Sequence, residues 1–109
     1  MKFTCDTALI NREISIAGDI ISSKNALSIL SNVYLSVNED RLLIKATDLK
    51  VGFETEIPVQ TEISGSTTVF CDKLLGILKN MPEGDALFQL EENGTMIIST
   101  ADRRIEYQL

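Results

Sequence analysis

A chain of 109 residues, 44% apolar and 24% charged, has material for one globular domain with its own core, and global disorder is excluded. Sixteen acidic residues against ten basic ones leave a net charge of -6, which excludes a surface that coats nucleic acid all round but allows cations gathered on one face. Histidine is absent, so a Ser-His-Asp triad, a Cys-His dyad and an imidazole metal site are excluded as well.

Met1 to Cys5 is predicted as a short strand. Asp6 or Thr7 is expected to cap the helix that follows, its side-chain oxygen meeting a free N–H of the first turn. Ile10, Ile14, Ala17 and Ile21 then recur at i, i+4, i+7 and i+11, which is one helical stripe. Ala8, Arg12, Ser15 and Asp19 fall opposite. Ser22 to Ser28 reads as a polar connection that carries Lys24. Val33–Val37 and Leu42–Thr47 flank Asn38-Glu39-Asp40-Arg41, a tight polar turn that predicts a hairpin. Asp48 reads as a turn residue. Val51–Val59 alternates in the manner of a strand with one wet face. Gln60 to Ser66 reads as a loop, with Gly65 as its turn residue.

The pattern then begins again. Thr67–Cys71 is rich in strand formers, and Asp72 is expected to cap a second helix. Leu74, Ile77, Leu78 and Met81 form its apolar stripe, with Lys73, Gly76, Lys79 and Asn80 away from it. Pro82-Glu83-Gly84 stops the helix. Strands are predicted at Ala86–Leu90 and Met96–Thr100, joined through Glu92-Asn93-Gly94. Arg103–Leu109 is the last strand. The order β-α-β-β-β thus occurs twice, a duplication of elements rather than of residues. The expected architecture is α+β, with two helices packed on one side of antiparallel sheets.

Catalytic chemistry finds little support. Cys5 and Cys71 lie where strands give way to helices, and a helix N-terminus can activate a thiol. Without histidine or a CxxC pair, small buried hydrophobes are the simpler reading. Asp6 and Asp72 could be imagined as a carboxylate pair, but capping accounts for both. No cofactor and no metal site is expected. The apolar runs are too short to span a bilayer, and MKFTCDTALI lacks the continuous hydrophobic stretch of a signal peptide, so a cytoplasmic protein is expected.

The cations inform by position. Arg12 and Lys79 sit on the polar sides of the two helices, Lys73 opens the second, and Lys24 follows the first. Most acids fall in strands and turns. A helix side that faces phosphates and a merely solvated helix side both fit this distribution. The last strand stops within an apolar-polar alternation. It reads as an ordinary terminal strand, as an edge that another chain could pair, or as a cut.

Met1-Lys2-Phe3-Thr4, Leu27-Ser28-Ile29-Leu30-Ser31-Asn32, Ala46-Thr47-Asp48-Leu49, Gly65-Ser66-Thr67-Thr68-Val69 and Met81-Pro82-Glu83-Gly84 follow one another in order. Together they closely resemble the N-terminal domain of the bacterial DNA sliding clamp, the beta subunit of DNA polymerase III. The resemblance covers essentially the whole chain. It implies the DNA clamp fold, with residues 1–109 as the first of three tandem domains in a longer chain. Two such subunits would close head to tail into a homodimeric ring, helices lining the hole and sheets forming the rim. The implied role is non-enzymatic: the ring encircles double-stranded DNA regardless of sequence and tethers the replicative polymerase. DNA polymerase III and the clamp loader would bind regions outside this chain, and no membrane is involved. By the same resemblance Lys24, Arg12 and Lys79 face DNA. Lys73, Arg104, Ile105 and Tyr107 lie toward the subunit boundary. Asp72 and Asp102 stand where some members of the family have arginine. A rival reading is an interaction module that pairs through its edge strand and has no DNA role. A carboxylate-metal enzyme is a second rival, without ligand spacing to support it.

Overall fold

The opening strand, β1 (Lys2–Asp6), alternates as its residues demand. Phe3 and Cys5 turn into the core, and Asp6 is exposed. The computed structural model describes residues 1–22, 32–47, 52–100 and 106–108. After β1 come α1 (Thr7–Ser22), β2 (Asn32–Asn38), β3 (Arg41–Thr47), β4 (Gly52–Pro58) and β5 (Gln60–Ile63). The second half runs β6 (Gly65–Phe70), α2 (Cys71–Asn80), β7 (Asp85–Leu90), β8 (Met96–Thr100) and β9 (Glu106–Gln108). The twice-repeated β-α-β-β-β order is therefore present, with β5 as an extra strand between the units.

The two units exchange their first strands. β1 pairs antiparallel with β7 of the second unit, and β6 pairs antiparallel with β2 of the first. One sheet runs β5-β1-β7-β8-β9 and the other β4-β3-β2-β6. The order β6-β2-β3-β4 thus mirrors β1-β7-β8-β9 under an approximate two-fold relation, and β5 lies outside β1. Phe3 stands opposite Phe88 in the β1–β7 ladder, and their rings stack with centroids 4.9 Å apart and planes 4° apart. Val69 opposite Val33 is the counterpart in the other sheet.

Both helices form where the apolar spacing places them. Ile10, Ile14 and Ala17 are fully buried on α1, as are Leu74 and nearly so Leu78 on α2. Helix α1 packs on α2 and on β3, β4 and β1, while α2 also meets β6. The helices approach closely at Gly18, where an added Cβ would lie 3.0 Å from Leu75 Cδ1 and 3.5 Å from Cys71 Sγ. The buried Cys71 thiol points its weak donor at the Ile14 carbonyl, 4.0 Å away. The 22 buried hydrophobic residues among those described belong to one cluster, which joins the helices to both sheets.

The hairpin at residues 38–41 is confirmed. Asn38 pairs with Arg41, and Glu39 and Asp40 both take positive φ (51° and 61°), the two-residue turn that suits strand twist. Asp40 also does more than sit in water. Its carbonyl accepts from Val59 N–H at 3.1 Å and its carboxylate from Thr61 N–H at 3.0 Å, which fixes the bend between β4 and β5.

Four expectations are corrected. Residues 60–63 and 65–66 are strand rather than loop: Thr61 and Gln60 pair with Phe3 and Thr4 on the free edge of β1, and Gly65 and Ser66 begin β6 and pair with Val37 and Ser36. Cys71 opens α2 instead of ending the strand. Phe70 occupies the N-cap with no side-chain hydrogen bond, so Asp72 is not the cap. It lies in the first turn, where a carboxylate meets the positive end of the helix dipole. Finally, of the two cap candidates for α1, Asp6 directly precedes the helix, whereas Thr7 is its first residue and ties it to the other unit. Its one hydroxyl proton is shared between the carbonyls of Gly84 (2.9 Å) and Pro82 (3.2 Å), and its N–H donates to Gly84 O at 2.8 Å.

Thr7 is buried, so the tie is shielded from water. Thr7→Val keeps the shape and removes the donor, and should destabilise the domain by about 1–3 kcal/mol in urea titrations. Thr7→Ser should recover most of that loss. A Thr7→Val midpoint equal to the parent's would show that the hydroxyl bonds contribute nothing.

Candidate nucleic-acid interface

Charge divides between the layers. Helices α1 and α2 carry three bases (Arg12, Lys73, Lys79) and three acids (Glu13, Asp19, Asp72), so the helix layer has no net charge. The described strands and turns carry three bases (Lys2, Arg41, Lys45) against eleven acids. Two of those bases are already engaged, Lys2 with Glu62 and Lys45 with Glu54, each at 3.3 Å. The excess of acid therefore lies on the sheet side. A polyanion is repelled less by the helices than by any other described part of the domain.

Arg12 is exposed on α1, its side chain 68% accessible, with the guanidinium donating to Glu13 Oε1 at 3.4 Å. Lys79 is exposed in the last turn of α2, where a cation is favoured by the dipole, and Lys73 is exposed in its first turn beside Asp72. The packing of α1 on α2 brings these three bases into one layer. Tyr107 lies on β9, opposite Ile98, in the strand that ends the five-stranded sheet. Lys24, Arg104, Ile105, Asp48 and Asp102 lie outside the described residues.

The remaining candidates are not brought together as a pair. Asp6 stands directly opposite Asp85 in the β1–β7 ladder, while Asp72 belongs to α2. Among the described residues no group of three or more Cys, Asp or Glu is placed to hold a metal ion. Both thiols are buried. Burial, then the carboxylates of Asp6 and Asp85, pushes Cys5 up to about 12, and burial with Asp72 pushes Cys71 up to about 11. A helix N-terminus does not activate Cys71, because loss of water outweighs the dipole. Tyr34, on the exposed side of β2, has its phenol held below its ordinary range by hydrogen bonds from Ser66 and then Ser36. Sequence reasoning missed the Gly18 contact, although a glycine inside a helical pattern is itself a sign of close approach.

This fold is shared with bacterial clamp subunits. Over its full length the chain superposes on a domain of Caulobacter crescentus pol III beta with a TM-score of 0.88 and 27% identity, covering 30% of that chain. The beta subunit from the DNA polymerase of Streptococcus pyogenes shares the fold at a TM-score of 0.90 with 18% identity. The beta sliding clamp of Treponema pallidum (strain Nichols) is 41% identical over 109 residues, all of this chain and 29% of that protein. Residues 1–108 match the family described as DNA polymerase III beta subunit, N-terminal domain, and the chain belongs to that family. It spans less than a third of the length of the curated relatives it matches.

The raised thiols give a signed pH dependence. Between the ordinary value of 9.0 and about 12 the unfolded chain releases the Cys5 proton while the folded chain keeps it. The unfolded state then binds fewer protons, so stability falls as pH rises through that window. The stabilising effect is fully present below pH 9.0. Cys5→Ala, Cys71→Ala and the double variant should each flatten the loss between pH 9 and 11 in urea titrations. Native protein should react with a thiol reagent at pH 8 only as fast as it opens. Immediate reaction of either thiol would contradict the assignment.

Proposed function

We propose that this chain is one domain of a ring-shaped clamp that encircles double-stranded DNA and tethers DNA polymerase III, conferring processivity without catalysis. The observation that carries the reading is the match of residues 1–108 to the clamp family combined with the neutral helix layer and acidic sheets. The whole chain corresponds to 29% of its Treponema relative, which leaves room for two more domains of this size. Two such three-domain subunits then form the homodimeric ring, helices inward. The reading of the chain as an edge-pairing module with no DNA role is not favoured, since relatives that match it over its whole length are clamps.

In this arrangement Arg12, Lys79 and Lys24 face the phosphate backbone, sequence-independently. The contact must be weak, because a tight one would hold the ring at one register. Retention comes from closure: a ring cannot leave circular DNA by diffusion. Lys73, Arg104, Ile105 and Tyr107 lie toward the partner subunit, whose strand would extend the five-stranded sheet past β9. The apolar members of that set contribute more than the charged ones, since an exposed ion pair is worth only about 0–1 kcal/mol. The polymerase and the clamp loader are bound by other domains. The Helicobacter pylori beta clamp has been solved bound to a DNA ligase peptide, and a peptide-binding role of that kind belongs to the whole subunit here. A ring on the bacterial chromosome works in the cytoplasm; separately, no described helix is long and apolar enough to cross a membrane.

Two outcomes test the reading. The isolated chain should bind linear duplex DNA barely at physiological salt, with a dissociation constant weaker than about 100 μM by fluorescence anisotropy. Tight binding would contradict topological retention. In rings of the full-length protein, Arg12→Ala with Lys79→Ala, and separately Lys24→Ala, should shorten the lifetime on circular duplex severalfold while leaving the fold intact. An unchanged lifetime would remove those residues from the DNA side.

A further inference from the structure

Among the described residues, nothing in the local fold asks for Asp19. It lies in the last turn of α1, where the helix dipole is negative and a carboxylate is disfavoured. It is exposed, and it forms no ion pair with any described residue. The other two acids of the helix layer have structural accounts. Glu13, its side chain only 14% accessible, accepts from Arg12, and Asp72 complements the dipole at the start of α2. Asp19 follows Arg12 by seven residues, two turns along the same exposed stripe and about 10 Å up the axis.

We propose that Asp19 is a repulsive element of the DNA-facing surface, which offsets Arg12 and keeps α1 from holding the phosphate backbone. The inference rests on the reading of the helix layer as the side toward DNA. A ring kept on its track by closure gains nothing from a firm grip, and each fixed phosphate contact has to break whenever the ring moves. A lysine at this position would suit the helix end better, line up with Arg12 and add a phosphate contact. The acid removes that contact and costs some helix stability in doing so.

The test compares the 109-residue chain with Asp19→Lys and Glu56→Lys. Glu56 is exposed on β4, so the second variant makes the same change of charge on the sheet side. Binding to a fluorescein-labelled duplex of about 20 base pairs is read by anisotropy from about 25 to 150 mM salt. Asp19→Lys should bind about fivefold tighter or more at the lowest salt, with the slope of log K against log salt steeper by about 0.9. Glu56→Lys should stay within about twofold of the parent. Asp19→Lys should melt no lower than the parent, since the dipole favours a cation there. Equal tightening by both variants, tightening by Glu56→Lys alone, or no tightening by either overturns the proposal. Adding Arg12→Ala and Lys79→Ala to Asp19→Lys separates the two levels. If Asp19→Lys binds no tighter yet loss of Arg12 and Lys79 still weakens binding, only the role of Asp19 falls. If neither change moves binding, the DNA-facing reading of the helices falls with it.

Discussion

The exchange of first strands is the constraint on which the rest of the domain depends. Neither β-α-β-β-β unit is complete alone. The first lends β1 to β7, and the second lends β6 to β2. The Phe3–Phe88 stack sits at the centre of one exchange and Val69 against Val33 at the centre of the other. Large aromatic burial at such a crossing makes the two halves one cooperative core. Because both helices emerge directly from the exchanged strands, at Asp6–Thr7 and Phe70–Cys71, the exchange also sets where the helices lie. Thr7, bonded to Pro82 and Gly84, locks one of these corners to the opposite unit.

With the helices fixed side by side, the division of charge follows. Acids on β1, β4, β5 and β7 are exposed, partly matched by Lys2 and Lys45, and the helix layer balances three bases with three acids. A domain of net charge -6 can then approach a polyanion along one side only, and along that side without strong attraction. Weak, register-free contact is what a sliding ring requires. The same distribution would serve poorly for a protein that recognises a sequence, which needs phosphate contacts to fix its position before bases can be read.

Much of this was legible in the residues. The stripe Ile10, Ile14, Ala17 has helical spacing that no strand could use, and Glu39-Asp40 falls in a turn because only four polar residues, 38–41, separate two apolar runs. The doubled element order was visible too. The pairing of β1 with β7 was not, because local periodicity says which face of a strand is buried and nothing about its neighbour, some eighty residues away. Strand β5 escaped notice for a related reason. Gln60–Ile63 is short and mostly exposed, and it is a strand only because β1 offers it an edge. Asp72 was misjudged as a cap because its residue type fits the role, whereas the helix begins one residue earlier, at buried Cys71. For the site, Arg12, Lys73 and Lys79 could be placed on exposed helix faces from spacing alone. Their cancellation by Glu13, Asp19 and Asp72 needed only counting once both helices were known to form one layer.

The most direct measurement is a titration of the isotopically labelled chain with a short DNA duplex at low salt, followed by backbone amide chemical shifts. The account predicts fast-exchange shifts concentrated on α1 and α2, around Arg12, Lys73 and Lys79, with the exposed faces of β2, β3 and β4 unmoved. Shifts centred on the sheet faces or on the Glu91–Thr95 turn, with the helix amides silent, would contradict it.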